Sequence, residues 1–196
     1  MVFSGSATWQ EQTKYNLNRF LGSLILQKIV AAKLSVVKAR LDEAGFRWAV
    51  FAGAAAHCYG STIEVTDIDI LVANDDLEKA KAALKDLDLA GFDFGAGGTI
   101  PTSQGVCRFF LDEEAIRRIQ WKQFLGMDVP VISVEDNILF KAILQRGEEE
   151  GKHDVEHIRD MVTHERIDLE YLRKRVRQCN AEKRVSSLLK TLIPNF

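Results

Sequence analysis

The sequence predicts an α/β (α+β) chain: a twisted mixed sheet flanked by helices, followed by a C-terminal helical region. Three observations predict it. Short apolar runs of strand length, RWAVFA, TDIDILVA, GVCRFFLD and MDVPVIS, lie between residues 47 and 133 and are separated by helix-prone stretches. From Val134 onward the apolar residues recur at helical spacing. The hydrophobic fraction is 46%, enough to build a core in a chain of 196 residues.

The elements follow in order. Ile25, Ile29, Ala32 and Val36, continued by Leu41, are spaced as a helix over 24–44 that Gly45 stops. RWAVFA is a short buried strand, AAAHCY a short helix closing at Gly60, and TDIDILVA the next strand. Asn74 and Asp75 open a helix. Asp75 and Glu78 have capping-box spacing there, and Leu77, Ala80, Leu84 and Leu87 form its apolar stripe. AGFDFGAGGTIPTSQG is rich in glycine and polar residues and is expected as a loop. GVCRFFLD and MDVPVIS are expected strands, with IRRIQW a candidate between them. Ile138, Leu139, Ala142 and Ile143 make one face of the next helix, which EEEGKHD interrupts. Asp154 opens another, with Val155, Ile158 and Val162 inward; Tyr171, Leu172 and Val176 mark a third, and VSSLLKTLI a fourth. The chain thus divides into a core over 1–133, N-terminal helix included, and a helical region over 134–196 packed on it.

A formal charge of −2 gives no overall pull toward nucleic acid or a membrane. Cys58, Cys107 and Cys179 are odd in number, far apart and without zinc spacing, so they read as free thiols in a reducing, cytoplasmic setting. The start, MVFSGSATWQEQ, has neither the basic nor the long apolar segment of a secretory signal. LGSLILQKIVAA is interrupted by Lys28 and is too short to span a bilayer.

Asp67 and Asp69 stand in an otherwise apolar strand, and strand alternation puts both on one face. Their repulsion at close range is worth roughly 4 kcal/mol at an intermediate dielectric. Water, a proton or a cation must offset it, and a hard divalent ion such as Mg²⁺ or Mn²⁺ suits oxygen ligands. Upstream, Gly53 lies between a strand and a short helix, where a phosphate can approach the backbone. Ala54 follows it, and Ser61 offers a hydroxyl. An anion cradle beside a carboxylate pair is equipment for phosphoryl or nucleotidyl transfer. The plain alternative is a strand with one wet face. His153 and His157 are four apart on a helix, but no third ligand stands in register for zinc.

AGAAAHCYGS followed by TDIDILV resembles the signature of the nucleotidyltransferase superfamily, the DNA polymerase beta-like fold. That signature is an apolar strand, a glycine pair opening a helix, and a strand bearing Asp-x-Asp. The run VEDNILFKAILQRGEEEGKHDVEHIRDMV resembles a second region of AbiEii-like and minimal nucleotidyltransferases. Glu135, Asp136, Lys141 and Asp154 take its matching places. The resemblance spans roughly residues 45 to 175.

It implies the nucleotidyltransferase fold and metal-dependent transfer of an NMP from an NTP such as ATP to an acceptor hydroxyl on protein, RNA or a small molecule. Asp67 and Asp69 would hold Mg²⁺ or Mn²⁺. Gly53, Ala54, Ser61 and Lys141 would bind the nucleotide. The family's third carboxylate lies on a later strand; GVCRFFLD carries Arg108, Phe109 and Phe110 at its centre, which leaves Asp112 as third carboxylate and base. Ala52 replaces the usual first glycine, and Ile63 an arginine. These departures motivate a second reading, a catalytically impaired nucleotide-binding or regulatory protein, and the AbiEii-like resemblance implies a third, one member of a toxin–antitoxin pair. The basic run at Arg173, Lys174, Arg175, Arg177, Lys183, Arg184 and Lys190 offers a surface for RNA, or a solvated helix face.

Overall fold

The computed structural model describes residues 28–196; Ile25 and the N-terminal segments discussed above lie outside them. Helix α1 covers 28–43. Its buried face is Leu34, Val37 and Leu41, with Val30 packed against the core, whereas Ile29 and Val36 are 49% and 46% exposed. The expected stripe through Ile29, Ala32 and Val36 is therefore the outer face. KIVAAKLSVVKARL holds two interleaved apolar series, and the one carrying two leucines is the one that goes inside.

Five strands form the main sheet in the order β3-β2-β1-β7-β6. β1 (Trp48–Phe51) is buried along its whole length at the centre. It runs antiparallel to β2 (Ile68–Val72) and parallel to β7 (Met127–Val131). β3 (Phe92–Gly95) lies parallel to β2, and β6 (Gln120–Phe124) antiparallel to β7. Between β1 and β2 comes helix α2 (Ala52–Cys58); between β2 and β3, a 3-10 turn at Asn74–Asp76 and helix α3 (Leu77–Leu84). β4 (Gly97–Thr102) and β5 (Gly105–Phe110) form a separate hairpin, followed by α4 (Glu113–Arg117). The expected architecture, a mixed sheet flanked by helices with a helical C-terminal region, is the one observed.

Between β2 and β6, local expectations differ at three places. The glycine-rich run expected as a loop contains β3 and β4: Phe92 and Phe94 alternate with Asp93, and that period of two pairs with β2. IRRIQW divides between the end of α4 and the start of β6. The Asp75–Glu78 capping box does not form, and Asp76 instead accepts from the Arg47 side chain.

α5 (Val134–Leu144) is the central helix. Every residue from Val134 to Ile143 except Phe140 is buried. α6 (Asp154–His164), α7 (Leu169–Gln178) and α8 (Glu182–Leu192) pack around it. The inward face of α6 is Asp154, His157, Ile158 and Met161; Val155 and Val162 sit at its edges. Ser133 caps α5 through the Asp136 amide. Asp136 is the hub of a buried network: Ser133 donates to it at 2.9 Å, Tyr171 at 2.7 Å and Arg175 at 2.7 Å. Among the described residues no helix is long and apolar enough to cross a membrane.

Candidate functional site

The start of α2, the loop 63–67, the start of β2, and helices α5 and α6 with the segment between them line a cleft of about 320 Å³. Its lining includes Gly53, Asp67, Asp69, Lys141, Arg146 and Lys152.

The acidic side is built by register. Asp67 and Asp69 are two residues apart at the start of β2 and share a face. The parallel pairing of β2 with β3 sets Asp93 directly beside Asp69. Carboxylate oxygens of Asp67, Asp69 and Asp93 lie within 4.8 Å of one another. Burial, then the charges of Asp67 and Asp93, push the Asp69 carboxyl up to about 6. Lys152, whose Nζ is 3.7 Å from Asp67, and Lys141 pull the other way without cancelling this. An all-oxygen set with surplus negative charge fits a hard divalent ion such as Mg²⁺ or Mn²⁺. With no His or Cys in the cluster, it does not fit zinc's usual donors.

The turn from β1 into α2 forms the next wall. Ala52 has φ +55°, a left-handed conformation that costs a non-glycine residue about 1 kcal/mol. Buried Asn137 of α5 holds it there. Its Oδ1 accepts from the Ala52 N–H at 2.8 Å, and its Nδ2 donates to the Ala52 carbonyl at 3.1 Å. The missing first glycine is thus compensated from another helix. Gly53 follows, and the space where its Cβ would stand is open. At the far end of α2, Gly60 has φ +97°, and a Cβ there would meet the His164 ring at 2.6 Å.

The cationic side comes from the junction of α5 and α6. Lys141 donates to Asp154 at 2.9 Å, and the Arg146 side chain and backbone both donate to the same carboxylate at 3.0 Å. Burial opposes ionisation of Asp154, but Arg146 and Lys141 hold it below the usual carboxylate range. Asp154 therefore fixes two cations at the cleft wall. His157 lies beside them, and burial and Lys141 push its ring down to about 4.

Asp67, Asp69, Gly53 and Lys141 are brought together as the sequence predicts. Three other residues are not. Ala54 is fully buried and does not line the cleft. The Ser61 hydroxyl does not line it either; it is 3% exposed, donating to Asp160 at 2.8 Å and lying 3.0 Å from His157 Nδ1. Asp112 does not join the acidic cluster. It caps α4 by accepting from Glu114 and Ala115 and pairs with Arg175 at 2.6 Å. The third member of the cluster is Asp93, in the run expected as a loop; its signal was the Phe-Asp-Phe alternation. Arg146 was missed as well, and no motif in the sequence marked it.

The C-terminal basic run is largely committed to internal contacts. Arg175 is buried with Asp136, Lys174 pairs with Glu114, and Arg173 donates to the Asn195 carbonyl. Arg184 donates to the carbonyls of Ile143 and Leu144, closing the end of α5. Burial pushes the Cys58 thiol up to about 11 and Cys179 to about 12, so neither is an activated nucleophile.

No family model matches the sequence, and no curated protein matches it. Solved structures similar to it include the following three. The solution structure of the antibiotic-resistance factor ANT(2″)-Ia shares 16% identity, covering 80% of this chain and 96% of that one at a TM-score of 0.49. The crystal structure of ANT(2″)-Ia in complex with adenylyl-2″-tobramycin also shares 16%, covering 76% and 98% at 0.49. An antigenic nucleotidyltransferase-like protein from Paracoccidioides brasiliensis shares 14%, covering 86% and 93% at 0.40.

Proposed function

We propose that this chain is a divalent-metal-dependent nucleotidyltransferase moving an NMP from an NTP to an acceptor hydroxyl. The observation that carries the reading is the cluster of Asp67, Asp69 and Asp93 beside a cleft that Lys141, Arg146 and Lys152 also line. Three carboxylates with surplus charge call for a cation, and fixed cations in the same cleft call for an anion. A metal–triphosphate satisfies both.

Asp67, Asp69 and Asp93 would hold Mg²⁺ or Mn²⁺, which supplies charge neutralisation to the triphosphate when bound. The Gly53 backbone gives the phosphates room to approach, and Lys141 and Arg146, anchored on Asp154, meet their charge. The acceptor oxygen forms a bond to the α-phosphorus, the bond to the bridging oxygen breaks, and pyrophosphate leaves. Asp93, the exposed member of the cluster, takes the acceptor proton, the role the sequence assigned to Asp112. The finer grouping with AbiEii-like proteins rests on the run from Val134 to Val162 alone.

The test is Mg²⁺-dependent labelling of acceptors by radiolabelled NTPs, with ATP first. Labelling is expected in the wild type and lost in Asp67→Asn plus Asp69→Asn. Labelling that survives the double substitution overturns the reading. Metal-dependent binding without pyrophosphate release would place the chain among nucleotide-binding regulators.

A further inference from the structure

His157 is a buried imidazole in the cleft wall that the proposed chemistry leaves without a task. Its hydrogen-bond partners fix its proton. Ser61 has one hydroxyl proton, and it donates that proton to the Asp160 carboxylate at 2.8 Å, since a carboxylate only accepts. The Ser61 oxygen then has only lone pairs left. One accepts from the Ile63 amide at 3.4 Å, and the other faces His157 Nδ1 at 3.0 Å. Nδ1 must therefore carry the ring proton, and Nε2 bears a lone pair in the neutral ring.

Among the described residues no partner is recorded for Nε2, and no buried side-chain nitrogen or oxygen is without one. Nε2 is therefore the polar atom through which this 6% exposed residue reaches the cleft it lines. The titratable groups around the ring are Lys141 on α5, Asp154 and Asp160 on α6, and His153 at the N-cap of α6. Burial and Lys141 keep the ring neutral.

A neutral nitrogen lone pair repels phosphate oxygens, which are acceptors too. Only an O–H or N–H donor satisfies it. Lys141 beside it, paired with the Asp154 that also holds Arg146, marks the phosphate side, so the nearest donors on a bound nucleotide are its sugar hydroxyls. We propose that His157 presents an unprotonated Nε2 to the cleft and accepts a hydrogen bond there from a ribose hydroxyl of the nucleotide. The inference rests on the nucleotide-binding reading above and makes His157 the residue that separates NTP from deoxy-NTP.

Two measurements test it on the full chain. Nitrogen-15 NMR of the imidazole at pH 7 is expected to report a proton on Nδ1 and none on Nε2; the opposite tautomer overturns the proposal whether or not nucleotide binds. Calorimetry with ATP, 2′-deoxy-ATP and 3′-deoxy-ATP in Mg²⁺ then compares wild type, His157→Leu and His157→Gln. The wild type is expected to bind ATP about five- to tenfold more tightly than one of the two deoxy analogues, the size of one lost hydrogen bond. That ratio collapses to about one in His157→Leu and returns in part in His157→Gln, whose amide oxygen accepts. Equal ratios in wild type and His157→Leu overturn the role of His157 while nucleotide binding stands. Absence of any nucleotide binding in the wild type overturns both readings together.

Discussion

Two groups of aspartates in this molecule have opposite surroundings. Asp136 and Asp112 face Arg175, whose guanidinium donates to both, and Ser133 and Tyr171 also donate to Asp136. Asp67, Asp69 and Asp93 face mainly one another, with Lys152 3.7 Å from Asp67 as partial compensation. In the first group each charge has a partner and the carboxylates hold α4, α5 and α7 together. In the second the charge is left over, and leftover charge in a cleft is what binds a ligand. The difference separates acids whose charge is spent within the fold from acids whose charge is not, without reference to any motif.

The sharpest way to break that contrast is to remove one partner from each side. Arg175→Ala leaves Asp136 buried with its countercharge gone, and is expected to cost about 3–5 kcal/mol in urea unfolding. Asp67→Asn plus Asp69→Asn relieves repulsion, so its unfolding midpoint is expected to hold or rise while metal-dependent nucleotide binding disappears. If the double Asn variant is destabilised as much as Arg175→Ala, the acids of the cleft are structural too.

A smaller effect tests how the cleft wall is held. Asn137→Ala removes two hydrogen bonds from a strained turn and leaves the Ala52 N–H without its side-chain acceptor, at an expected cost of about 1–3 kcal/mol. Ala52→Gly in that background removes the left-handed penalty and is expected to regain about 1 kcal/mol. No loss of stability in Asn137→Ala, read by the same unfolding curves, would show that Asn137 does not support the turn.

The sequence carried one half of this comparison better than the other. Asp67 and Asp69 stood out because a period of two in an apolar strand is a local pattern. Asp93 obeys the same period between Phe92 and Phe94, but the surrounding glycines masked it. Its place beside Asp69 depends on a parallel pairing across α3, which no local signal carries. The resemblance implied a third carboxylate on a later strand, and Asp112 was the candidate because the centre of GVCRFFLD is not acidic. The partner of Asp112, Arg175, lies 63 residues away, so its compensation was invisible. Likewise Ser61 follows the glycine turn in sequence, yet its hydroxyl is spent on His157 and Asp160 from α6. The order of strands and helices was legible because periodicity is local, apart from the two strands the glycine-rich run conceals. The partner of each charge was not, because partners come from the tertiary fold.

The smallest effect is a pH dependence confined to Asp69. Its folded pKa is raised to about 6 from an unfolded value of about 4. A carboxyl with a raised folded pKa contributes stability that is full below the unfolded pKa and is lost as pH rises through the folded one. Without divalent ions, wild type is therefore expected to lose stability relative to Asp69→Asn between about pH 4 and pH 6, with the difference constant above that. His157 acts with the opposite sign, because its ring is held down to about 4 and its contribution is lost as pH falls toward that value. It is present in both proteins and cancels in the difference. Adding Mg²⁺ above pH 6 should return the lost stability to wild type more than to the variant, since the ion takes the place of the proton. Melting temperatures of the two proteins from pH 4 to 7, in EDTA and in Mg²⁺, make the measurement. A difference that stays flat across that range would mean that Asp69 carries no excess charge, and that the contrast with Asp136 is one of position alone.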